Sequence, residues 1–77
     1  MSFRDLDTVV LTKDLPERGL KIGDLGTVVH VYEPEGLEVE FVTASGRTEA
    51  VITVSASDVR PVEDTDIVAV RRLKRSA

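Results

Sequence analysis

The chain has 77 residues, a formal net charge of −4 and no cysteine. That length supports one domain around one small core, and the missing cysteines exclude disulfides, thiolate metal sites and thiol catalysis. Residues 1–66 hold all 14 acids against six bases, a balance of −8, whereas residues 67–77 carry Arg71, Arg72, Lys74 and Arg75; such an acidic body repels a phosphate backbone and attracts a basic protein.

Residues 1–7, Met-Ser-Phe-Arg-Asp-Leu-Asp, include two acids and no apolar run of signal-peptide length. No later segment approaches the roughly 20 apolar residues of a membrane span. These features predict a soluble, cytoplasmic protein that does not engage a membrane.

In chain order, the β-branched stretch Leu6 to Thr12 predicts a first strand. Pro16, which lacks an amide donor, and Gly19 break it, opening a long loop that reaches Gly26. Leu15, Leu20, Ile22 and Leu25 are its candidate anchors to the core. Gly23 and Gly26 suit the positive φ of a sharp reversal, and a second strand is expected over Thr27 to Glu33. The turn Glu33-Pro34-Glu35-Gly36 leads to a third strand, Leu37 to Thr43, in which Leu37, Val39 and Phe41 alternate with Glu38 and Glu40. A polar turn around Gly46 predicts a hairpin into a fourth strand, Thr48 to Val54. Ser55, Ser57 and Asp58 suit the cap of a single helical turn. Arg60-Pro61-Val62 then reads as a terminal strand at a sheet edge, where proline is tolerated.

Together these elements predict an all-β, SH3-like five-stranded antiparallel barrel over residues 1–62. Residues 63–77 form a C-terminal extension with a basic tail. Within it, the apolar run Ile67 to Val70 is expected to add a further strand, to pack on the barrel or to join a second copy.

The single histidine, His30, reads as a solvated strand residue on the face opposite Val29 and Val31. Lys21, Gly23 and Gly26 do not make a phosphate cradle, because a strand rather than a helix follows them. The three aromatics, Phe3, Tyr32 and Phe41, are too few for a polyproline groove or a base-stacking platform. No set of residues has the pattern of catalytic, cofactor or metal ligands. What remains as a candidate partner-binding surface is the hairpin carrying Tyr32, Glu33, Glu35, Glu38 and Glu40.

The pieces Leu6-Asp7-Thr8-Val9-Val10-Leu11, Asp14-Leu15-Pro16-Glu17-Arg18-Gly19-Leu20, Gly23-Asp24-Leu25-Gly26-Thr27-Val28-Val29, Tyr32-Glu33-Pro34 and Ser45-Gly46-Arg47-Thr48 occur in an order and spacing that resemble the bacterial family called domain of unknown function 4926, over about residues 5 to 62. The resemblance implies a small SH3-like barrel, with some members accompanying small toxins, and it defines no catalytic residues. The Gly-Asp-x-Gly-Thr-Val loop is also similar to that of KOW-type modules and of nitrile hydratase β subunits, a likeness of fold more than function. The expected function is therefore a non-enzymatic protein-interaction module, an antitoxin or immunity partner of a small toxin being one form of it. The alternatives are a nucleic-acid or ribosome-associated barrel, using Lys13, Arg18, Lys21 and the tail, and an accessory barrel of a larger enzyme.

Overall fold

The computed structural model describes residues 3–73. Five strands form a single antiparallel sheet: β1 (Thr8–Leu11), β2 (Leu25–Tyr32), β3 (Gly36–Val42), β4 (Thr48–Ser55) and β5 (Val59–Pro61), in the order β4-β3-β2-β1-β5. Single 3-10 turns occupy Pro16–Arg18 and Ala56–Asp58. In the second, the Ser55 hydroxyl accepts the Ser57 N–H at 3.2 Å, the cap that its sequence suggests.

One face of this sheet supplies the core. Val9 and Leu11 from β1, Val28 from β2, Leu37, Val39 and Phe41 from β3, Ile52 and Val54 from β4 and Val59 from β5 form one cluster, joined by Leu20 from the long loop. With no α-helix among the described residues to cover this face, a single layer buries it by curling over itself. The curl stops short of closure. The end strands β4 and β5 do not pair, so the predicted barrel is an open five-stranded sheet.

Several boundaries differ from the sequence expectation for local reasons. The first strand starts at Thr8 rather than Leu6, because the Asp7 carboxylate accepts the Arg4 N–H at 2.9 Å and holds a turn in which Leu6 has φ 75°. In β2 the register shifts between Val28 and His30, leaving Val29 as an extra residue. Strict alternation would pair Val29 with Val31 on one face; the bulge instead sends Val28 and Val31 inward and leaves Val29 exposed.

The long loop is pinned through buried Leu20 and half-buried Leu15, whereas Ile22 is 63% exposed and Leu25, which opens β2, is exposed as well. Gly23 has φ 95°, but Gly26 is not in the left-handed region. Its role is space: a Cβ there would lie 2.5 Å from Val39 Cγ1 and 2.9 Å from Phe41 Cε1, so the glycine lets β2 and β3 close over the core.

Past Val62, whose N–H reaches the Thr8 carbonyl at 3.3 Å, no described residue continues the sheet. The Asp66 carboxylate accepts the Glu63 N–H at 2.7 Å, and the resulting turn carries the chain off the β5 edge. Ile67 and Val70 are consequently 92% and 95% exposed. The expected extra strand is not formed, and the run does not pack on its own sheet. Residues 74–77, which include part of the basic tail, lie outside the described residues.

Candidate functional site on the β2–β3 hairpin

The alternation in β3 that buries Leu37, Val39 and Phe41 must turn Glu38 and Glu40 to the other face. On that outer face His30 of β2 stands opposite Glu38, and Thr27 opposite Glu40. From the other side β4 presents Thr53 opposite Glu38 and Val51 opposite Glu40.

Two contacts organise the middle of this surface. The Tyr32 hydroxyl donates to Glu38 Oε1 at 2.9 Å. The His30 ring meets the Tyr32 ring edge to face, with centroids 4.6 Å apart and planes at 61°. The Glu38 hydrogen bond is the main cause that raises the Tyr32 phenol above its ordinary value; desolvation and the Glu38 charge act in the same direction. Further along β3, Glu40 accepts from the Thr48 hydroxyl.

Of the five candidate residues, then, the structure brings Tyr32 and Glu38 into contact and places Glu40 beside them on the same strand face. Glu33 and Glu35 sit apart at the exposed tip, around a cis Glu33–Pro34 peptide. The Glu35 carbonyl accepts the Ala56 N–H at 2.8 Å, which ties that tip to the second 3-10 turn. Residues 27–55 include five glutamates and, as the only base, Arg47. The field over this half of the sheet is therefore negative, and a cation approaching its outer face meets the Glu38 and Glu40 carboxylates on a strand rather than on a loop.

Sequence reasoning missed a second set of charges. Arg71 spans from the tail to the long loop, donating from Nε to Asp24 Oδ1 at 2.8 Å, from Nη2 to Asp24 Oδ2 at 2.6 Å and from Nη2 to the Gly19 carbonyl at 2.9 Å. Arg60 forks onto Asp66 with both contacts at 2.9 Å. Burial pushes the Asp24 carboxyl up, but the Arg71 fork, the Lys21 N–H and the two positive charges together outweigh it, so the net displacement is downward. The Asp66 carboxyl is lowered to about 2, first by Arg60 and then by the Glu63 N–H. No local pattern announces a pair 47 residues apart; only the charge excess of the tail hinted that its arginines would seek acids.

Among the described residues no group of three or more His, Asp or Glu side chains is arranged to hold a metal ion. No helix among them is long and apolar enough to cross a membrane.

A single antiparallel sheet that buries one face around its own curl and displays side chains on the other defines a small all-β protein. Residues 5–61 match the family described as Domain of unknown function (DUF4926), and the chain belongs to that family. The match runs from just before β1 to the end of β5 and leaves the tail outside it. No curated protein and no solved structure matches the chain.

Proposed function

We propose that this protein is a non-enzymatic interaction module that takes a basic protein partner on the outer face of its β2–β3 hairpin. The observation that carries this reading is the Tyr32–Glu38 hydrogen bond. It holds an aromatic ring and a carboxylate together on an exposed strand face, the pairing of apolar area and fixed charge from which hot spots are built. Complementary charge would speed encounter and exclude acidic partners, and Tyr32 with exposed Val51 would supply apolar contact. Blocking of a small toxin, as an antitoxin or immunity protein does, is one role within this reading and needs no chemistry from the chain itself. A cytoplasmic setting belongs to the same proposal.

Nucleic-acid binding is the weaker alternative. Arg71, one of the bases it would use, is already forked onto Asp24.

The test is capture from native lysate with tagged protein and with a Glu38→Lys, Glu40→Lys variant, eluted in salt steps. Recovery of one stoichiometric basic protein, released by moderate salt and lost with the variant, is the expected result. Undiminished capture by a folded variant removes this surface as the binding site.

A further inference from the structure

The two edges of the sheet are treated differently. At one end β5 is three residues long, contains Pro61 and carries Arg60 folded onto Asp66, features with which natural sheets blunt an edge. At the other end β4 runs for eight residues, Thr48–Ser55, with no proline, no base and Glu49 as its single charge.

The phase of the ladder shows which β4 groups are unused. The Ala56 N–H bonds to the Glu35 carbonyl at 2.8 Å, and the register continues through Leu37↔Val54, Val39↔Ile52 and Phe41↔Ala50. In an antiparallel pair the hydrogen-bonded positions alternate. Val54, Ile52 and Ala50 therefore direct their N–H and C=O groups to β3, and Val51, Thr53 and Ser55 direct theirs outward. No described backbone group meets these outward ones. Beside them lies an open groove of about 310 Å³, in which Leu15, Glu17 and Arg18 of the long loop face Ile52, Val54 and Asp58.

We infer that β4 is a strand-addition site, and that its occupant is an extended segment of a partner protein alternating apolar and basic side chains. The inference rests on the basic-partner reading above and deepens it by naming the backbone that does the binding. Directly opposed residues of paired antiparallel strands share a face. Added residues opposite Val51 and Thr53 thus lie on the outer face, one strand removed from Glu38 and Glu40, within reach of lysine or arginine. The residues between them lie on the same face as Ile52 and Val54, at the rim of a groove that Glu17, Arg18 and Asp58 also line, so that apolar side chains there would continue the row of the core. A second copy pairing β4 to β4 would instead set another row of glutamates on the same face, so charge selects a basic strand over self-association.

The probe is the peptide acetyl-Lys-Val-Lys-Val-Lys-Val-Lys-amide at up to millimolar concentration, followed by amide NMR and hydrogen exchange on the full chain. Slowed exchange is expected at Val51, Thr53 and Ser55. N-methylation of the Lys amides, which face β4 in the antiparallel arrangement, is expected to weaken binding about tenfold or more by removing several hydrogen bonds; N-methylation of the Val amides is expected to leave it nearly unchanged. Binding insensitive to both, or shifts confined to Glu38 and Glu40 with no protection on β4, overturns the edge site while leaving the acidic face standing. Conversely, a neutral Thr-Val peptide that still protects β4 in the Glu38→Lys, Glu40→Lys variant supports the edge and counts against the acidic reading. Protection of the same amides in the protein alone, with sedimentation as a dimer, assigns the edge to a second copy and overturns the proposal.

Discussion

At the scale of single residues, two positions show how a side chain, or its absence, is decided by what stands opposite. Gly26 is held by the closeness of Val39 and Phe41, not by its backbone angles. Gly26→Ala should therefore destabilise the protein by about 1–3 kcal/mol through overpacking, read from the urea midpoint at unchanged m-value. An unchanged midpoint would mean that β3 can shift at no cost. Tyr32 is the only tyrosine and there is no tryptophan, so ultraviolet titration of the phenolate reports on it alone. Its midpoint should lie above 10.0 in the wild type and move back toward that value in Glu38→Gln. Because the folded phenol is raised, the hydrogen bond contributes to stability below the unfolded value and is lost as pH rises through the folded one. Identical midpoints in the two proteins would show that the bond does not persist in solution.

The strands and loops owe their limits to local devices that act between elements. A bulge at Val29 reverses the face of everything after it in β2, and so places His30 and Tyr32 over Glu38. The turn at Glu63–Asp66 diverts the tail from the free side of β5, and the Arg60 fork holds that turn. Since the Asp66 carboxyl is lowered from 3.8 to about 2, its contribution is complete above its unfolded value and disappears as pH falls toward the folded one. Carboxyl NMR should find the Asp66 midpoint near 2, with the Glu63 amide shifting in step. A midpoint at the ordinary 3.8 would show the fork to be open.

For the whole molecule, the core is complete without the tail. Its cluster runs from Val9 to Val59, with Phe3 packed against it, and contains no residue beyond the family match. What the extension adds is an exposed Arg60–Asp66 fork and a half-covered Arg71–Asp24 fork, the latter worth about 0.2–1 kcal/mol. A chain ending at Val62 should keep its sheet, unfold in one transition and lose no more than roughly 2 kcal/mol. Failure of that shorter chain to fold would make the tail part of the folding unit. The open form of the sheet also belongs to this scale. It leaves Val51, Thr53 and Ser55 of one edge with no backbone partner among the described residues, and it places them beside the acidic face, so that a single added strand would touch both.

Much of this was legible in the chain. The alternation of Leu37, Val39 and Phe41 with Glu38 and Glu40 determined which side of β3 is wet, because successive strand residues point to opposite faces whatever lies around them. Gly46, with φ 88°, marked its turn, and Ser55 marked the 3-10 turn before β5, since both act through their own backbone neighbours. What only the tertiary structure decided depends on residues remote in sequence. The bulge at Val29 answers to the register with β3, and Gly26 answers to side chains 13 and 15 positions away. Arg71 finds Asp24 only once the tail crosses the loop. Whether five strands close into a barrel or stop as an open sheet is set by the sum of their bends and twists, which no single segment encodes.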